Sequence, residues 1–163
     1  GNVISSVDLN ADFIFICVND ESYFNVLEEL PKGLKSTICH TSGPVSMNVI
    51  SGYALNYGVF YPLQSLRKEK CIDFMNVPIF IEGNSVNVRK DLMNLADTIS
   101  NKISEVTSAE REKYHLAAVF ANNFTNLMYT LSHQYLEDES LDLFSLNVGT
   151  NMITKRKAEA ANP

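Results

Sequence analysis

The chain has 163 residues, a net charge of −6 and a pI of about 5.0, with 45% hydrophobic and 20% charged residues. That composition belongs to a globular chain of one ordinary or two small domains and excludes a disordered one. The acidic balance speaks against nucleic acid, which needs a basic face; the densest basic group, Lys155 to Lys157, reads as a solvated helix end. No apolar stretch approaches the ~20 residues of a membrane span, and the first residues are too polar for a signal peptide. The three cysteines, Cys17, Cys39 and Cys71, form no C-x-x-C pair. Cys17 and Cys39 lie in apolar runs and are expected as small buried hydrophobes in a reducing, cytoplasmic setting.

In chain order, the run from Ala11 to Val18 is continuous, β-branched and aromatic, and predicts a strand buried on both faces as in a parallel sheet. Asn19 or Asp20 then caps a short helix through Leu30, which Pro31-Lys32-Gly33 stops. A second strand runs from Ser36 to His40 and opens into Thr41-Ser42-Gly43-Pro44, with a short helix near Val45 to Ile50. Gly58 to Tyr61 is a strand cut by Pro62. Val77 to Glu82 is another, and Pro78 makes it an edge strand or places Pro78 at its start. Leu92, Leu95, Ala96, Ile99 and Ile103 have the rhythm of an amphipathic helix. Strands alternating with helices predict an α/β layer.

The pattern changes near Thr107. Thr107-x-x-Glu110 is a capping box, and a helix follows to about Gln134. Leu141 to Met152 predicts a further helix, and no strand is expected beyond Thr107. The boundary is therefore set at 106: an α/β segment at 1–106, then a helical domain at 107–163.

From Tyr114 to Tyr135 there is no Asp, Glu, Lys or Arg. A surface helix normally carries charges on its outer side. At 100° per residue, His115, Asn122, Asn126 and His133 fall near one line. Such an uncharged polar stripe suits a cleft holding a polar substrate, or a wetter surface face, or a polar seam between subunits. Histidine can move a proton near neutral pH, and asparagine can hold a carbonyl oxygen.

In open α/β sheets, ligands bind beyond the carboxyl ends of strands. Val18-Asn19-Asp20 and His40-Thr41-Ser42-Gly43 occupy such ends. Gly43 allows close backbone approach, and Thr41 and Ser42 offer hydroxyls. A polar turn that merely closes a strand is an equal reading of the second loop. Tyr61-Pro62-Leu63-Gln64 is a weaker candidate. No P-loop, H-E-x-x-H, paired C-x-x-C or G-x-S-x-G is present.

Taken in order, His40-Thr41-Ser42-Gly43, Tyr61-Pro62-Leu63-Gln64 and the run Tyr114 to Phe124 (YHLAAVFANNF) resemble an uncharacterised family of Rossmann-like dehydrogenase homologues. Its relatives include pyrroline-5-carboxylate reductase, ketopantoate reductase and 3-hydroxyisobutyrate dehydrogenase. The resemblance implies an NADP- or NAD-binding Rossmann domain followed by an all-α domain like the C-terminal domain of 6-phosphogluconate dehydrogenase, often dimeric through it. It implies an oxidoreductase of a small oxo or hydroxy compound or an imine, or a non-catalytic binding or dimerisation protein on that scaffold. Val18, Asn19, Asp20 and His40 are then expected at the cofactor, and Thr41, Ser42, Gly43 and Gln64 at the substrate. His115, with Asn122 or Asn123, would carry the chemistry; the two asparagines stay alternatives until the helix phase is known. Two positions depart from the family: Tyr61 replaces its usual histidine, and Val119 stands where the first asparagine of the related enzymes would be. The seven glycines contain no G-x-G-x-x-G. Gly1-Asn2-Val3 resembles the end of the family's G-x-G-N-V turn, yet Ile14 follows too soon for two βα units of ~30 residues each. The first βαβ units are therefore expected to lie outside this chain.

Overall fold

The computed structural model describes residues 8–65 and 72–138. The chain divides into two compact units: one holds the sheet and its helices through Leu116, and the other holds the helical run that starts at Ala117.

The first unit is built on five strands: β1 (Phe13–Ile16), β2 (Thr37–His40), β3 (Tyr57–Pro62), β4 (Ile79–Gly83) and β5 (Ile103–Glu105), ordered 1-2-3-4-5 across the sheet. The first three are mutually parallel; β4 runs antiparallel to β3, and β5 parallel to β4. The carboxyl ends of β1, β2 and β3 thus share one rim, where ligands bind in open α/β sheets.

The pairing register assigns the two faces. Ile16, His40 and Val59 lie side by side, as do Val59 with Glu82 and Tyr61 with Phe80. On that face α1 (Tyr23–Glu29) buries Tyr23 and Leu27 against Ile14, Ile16 and Ile38. On the other, α2 (Val86–Asp97) buries Val88, Leu92 and Ala96 against Cys39, Phe60, Ile79 and Ile81. Ser85 starts α2 by accepting the Val88 amide.

Several expectations change. The first strand is fully covered on one face only: Ile14 and Ile16 are buried on the α1 side, while on the α2 side Phe13 packs half-buried against the α2 cluster and Phe15 is 37% exposed. Cys39 is buried, but Cys17 is exposed, one residue past the end of β1. Neither Asn19 nor Asp20 caps with its side chain; a 3₁₀ turn, Asp20–Ser22, leads into α1. The turn Met47–Ile50 is also 3₁₀, capped by Ser46. Of the two readings of Pro78 the strand start holds, since it immediately precedes β4, and the edge strand does not, since β4 is interior. α2 stops at Asp97, so Ile99 lies beyond it and Ile103 begins β5. A helical rhythm carried through two residues too many concealed that short strand.

The capping box forms as expected. The Thr107 amide donates to the Glu110 carboxylate at 2.8 Å, and the Glu110 amide donates to the Thr107 hydroxyl at 3.3 Å. The Thr107 amide and the Thr107 hydroxyl, both donating to the Glu110 carboxylate, hold that carboxyl below its ordinary range. The helix it starts, α3 (Ser108–Ala118), continues as a π-helical stretch, Val119–Phe124, and then as α4 (Thr125–Asp138). Gly1 to Val3, Cys71, Leu141 to Met152 and Lys155 to Lys157 lie outside the described residues.

Candidate functional site

The parallel rim is organised by the inward edge of α3. Residues three and four apart share a helix face, and Ser108, Arg111 and His115 have that spacing. All three point at the sheet. The Ser108 hydroxyl donates to the Glu82 carboxylate and accepts the Met47 amide at 3.1 Å. Arg111 is 0% exposed. Its guanidinium pairs with Glu82 and donates to the backbone oxygens of Gly43 and Val45. His115, one turn on, is half-buried, and its Nδ1 lies 2.9 Å from the Tyr61 hydroxyl. The Tyr61 ring meets the imidazole edge-on, and the Tyr114 ring packs on Phe80.

The loop after β2 fits beneath this helix. A Cβ on Gly43 would stand 2.5 Å from His115 Nδ1, so the glycine is required by the histidine ring itself. The open space expected for a ligand at Gly43 is filled by His115. The Ser42 hydroxyl is engaged in the turn, accepting the Val45 amide at 3.2 Å. Thr41 is half-buried and hydrogen-bonds toward Tyr23. Gln64 is exposed and folds back on its own loop, accepting the Ser65 amide at 3.1 Å.

His40 ends β2 and is 0% exposed. Its Nδ1 accepts the Ser42 amide at 3.2 Å, which places the proton of the neutral ring on Nε2. Burial, with the Arg111 charge adding to it, pushes its pKa down to about 4. The imidazole is therefore neutral at pH 7; its buried Nε2 makes no hydrogen bond of good geometry, the nearby Ser46 backbone only partly offsetting the fall in its pKa. Tyr61 is pushed the other way: burial raises its pKa, opposed by Arg111, so the phenol keeps its proton. Asp20 acts electrostatically on both His40 and Tyr61. Val18 is half-buried, and Asn19 and Asp20 are exposed.

Asn122 and Asn123 belong to the second unit. Asn126 donates to Asn122 at 3.4 Å, and Asn122 to Asn123 at 3.2 Å. The π turn takes more residues per turn than an α-helix. The polar stripe drawn at 100° per residue therefore cannot be carried across it from His115.

Sequence reasoning missed Tyr61, Arg111, Glu82 and Ser108. Tyr61 stood as a departure from a family motif. Arg111 is one of four charged residues in the run Glu110 to Lys113, and nothing in that run marks which one is buried. A broad groove of about 1010 Å³ lined by Asp12, Lys35, Asn56 and Asp91 lies at the amino ends of the strands, away from this rim. No group of His, Cys, Asp or Glu among the described residues could hold a metal ion.

The sequence from 77 to 161, more than half the chain, matches a family described as a domain of unknown function, DUF2520. The chain belongs to that family. No protein of curated function matches it. Among solved structures, this DUF2520 chain is similar to a putative NADP oxidoreductase from Bacteroides fragilis, with 34% identity and a TM-score of 0.80 over 94% of this chain and 60% of that one. It is also similar in fold to a protein from Thermotoga maritima, with 24% identity and a TM-score of 0.68 over 88% of this chain and 57% of that one. The DUF2520 chain thus spans less than two thirds of either structure. Its α/β segment is Rossmann-like.

Proposed function

We propose that this chain carries the substrate-facing part of an NADP- or NAD-dependent oxidoreductase that acts on a small oxo or hydroxy compound or an imine. The observation that supports this most is the Tyr61–His115 pair, joined at 2.9 Å on the rim of the parallel strands. The likeness to the Bacteroides protein, itself named a putative NADP oxidoreductase, points the same way.

The residues present suit the nicotinamide end of such a cofactor. His40 Nε2 is a neutral, buried donor without a hydrogen bond of good geometry, appropriate to an uncharged acceptor such as a carboxamide. Val18, Asn19 and Asp20 would line the same end. A pyrophosphate cradle is not among the described residues. When bound, the reduced cofactor would supply a hydride to the carbonyl or imine carbon.

The chain's own part is the proton. With Tyr61 protonated, its O–H donates to Nδ1 of neutral His115, and the ring then carries its hydrogen on Nε2. That Nε2–H is given to the oxygen or nitrogen that gains charge as the carbon is reduced. Nδ1 takes the Tyr61 proton in the same step; a solvent proton then reloads Nε2 while Nδ1 returns its proton to the phenolate, whose raised affinity for it restores the starting pair. Ser42 and Gly43 are committed to the turn, so polar contact with substrate from that loop falls to Thr41.

Fluorescence titration of the full-length protein with NADPH and NADH tests the reading, and no binding at millimolar cofactor would sink it. Given binding, His115→Gln should lower turnover by about 10²–10⁴-fold, the usual loss for a general acid, with cofactor affinity little changed. An unchanged rate removes His115 from the reaction.

A second reading, a non-catalytic assembly protein on this scaffold, is favoured by one feature. Phe120, Phe124, Leu127, Met128 and Leu131 in the second unit are each about half exposed, within the run Tyr114 to Tyr135 that has no charged residue. Such a surface suits a homodimer formed through the helical region.

A further inference from the structure

We infer that Arg111 is the positioning residue of this site: by tying the Gly43–Val45 loop and Glu82 to α3, it fixes the contact between His115 and Tyr61. The use made of that contact rests on the oxidoreductase reading above; the positioning itself does not.

Three observations converge. First, a guanidinium that is 0% exposed has lost its water, and here its planar fork is filled by a carboxylate and two backbone oxygens from separate segments. Glu82 comes from β4, and Gly43 and Val45 from the loop after β2. One side chain therefore fixes the helix against two neighbours. Second, Arg111 and His115 are four residues apart on the same helix face, so any slip or rotation of α3 that loosens one displaces the other. Third, the loop that Arg111 holds is the floor of the histidine. Gly43 gives its oxygen to Arg111 Nε at 3.2 Å, while its α-carbon lies against the His115 ring. Pinning that oxygen sets the height of the ring above the loop, and hence the reach of Nδ1 to the Tyr61 hydroxyl. Ser108 completes the device by bonding to Glu82 from the preceding turn. A purely structural anchor would not require the held loop and the anchoring helix to meet again at a titratable pair.

Lysine retains the charge but cannot form the fork. Arg111→Lys is therefore the informative variant, read by the ring ¹⁵N signals of His115 in its neutral form. With three histidines in the chain, His115→Gln assigns those signals by their disappearance. Tyr61→Phe removes the phenol and defines the signature of a ring without its partner. The expected result is that folded Arg111→Lys moves the His115 nitrogens toward the Tyr61→Phe values, and that the double variant moves them no further than Tyr61→Phe alone. Wild-type His115 signals in folded Arg111→Lys would overturn the proposal, as would additive shifts in the double variant. If Arg111→Lys does not fold, Glu82→Gln loosens the same clamp at its carboxylate. A smaller shift in the same direction is then expected, and no shift overturns the proposal. In an active protein, Arg111→Lys should lower kcat by up to about 10²-fold, the scale set by an ångström of misplacement, with KM for the cofactor within about twofold. The nitrogen signals decide the matter even if no cofactor binds, so failure of the oxidoreductase reading and failure of the clamp are separable.

Discussion

A histidine sealed in the fold with one nitrogen satisfied makes stability depend on pH. His40 has a folded pKa of about 4 against an ordinary 6.5. Between those values the unfolded chain binds a proton that the folded chain does not, so stability rises with pH across that window and falls as pH is lowered through it. The full difference is on the order of 3 kcal/mol, at 1.36 kcal/mol per unit. His40→Asn keeps an acceptor near the Ser42 amide and removes the titration. Denaturant unfolding between pH 7 and pH 4 should show a steeper loss for the wild type than for this variant. Parallel curves would mean that His40 is not the group responsible. Cys39, also sealed in the sheet, has its thiol pushed up to about 12 by burial. It packs as a hydrophobe and does not act as a nucleophile at neutral pH.

At the level of elements, the signals that survived are those with a local cause. The Thr107 capping box is written in two residues three apart, and it forms with both bonds in place. Thr107→Ala should therefore cost about 1 kcal/mol, a typical N-cap loss. A shift in the unfolding midpoint measures it; no shift would mean that Glu110 alone satisfies the helix start. The runs ending at His40 and Tyr61 were legible because turn-forming residues bound them. β5 was not, since its three residues follow α2 closely and Ile103 happens to continue the helical rhythm. The π stretch was equally hidden: a period assumed to be uniform cannot reveal where it changes. The candidate site divides in the same way. His40 and His115 could be named from residue type and place on a strand end or helix. Their partners could not, because Tyr61, Glu82 and Arg111 come together only through strand register and helix packing. Loop hydroxyls such as Ser42 looked available because sequence does not show that the turn already uses them.

At the scale of the whole molecule, two open surfaces among the described residues bear on assembly. The outer edge of β1 has no paired strand, and Phe15 lies partly bare beside it. An open edge of this kind is where a sheet can be extended, and the chain covers only 60% of the Bacteroides protein. The second surface is the half-exposed apolar row of the helical unit, from Phe120 to Leu131. Sedimentation of the protein at tens of micromolar should give a dimer, and Leu131→Arg should shift it toward monomer. A wild-type monomer would remove assembly through this surface. No helix among the described residues is long and apolar enough to cross a membrane.

The reversal of direction at β4 has a consequence in register arithmetic. Because β4 runs back toward the amino end of β3 and β5 follows it there, α3 begins beside Glu82, in the row of Val59 and His40, and not beside Tyr61. It must climb back across the face. The seven steps from Ser108 to His115 rise about 10 Å, and they lead from Glu82 to Tyr61, two rows along the sheet. The helix works as a ruler with its zero mark on Glu82 and its reading on Tyr61. A ruler tolerates changes to its outer surface but not to its length. One residue inserted between those marks would turn His115 by about 100° away from the phenol. Length variation in this chain is therefore confined to places off that seven-step scale.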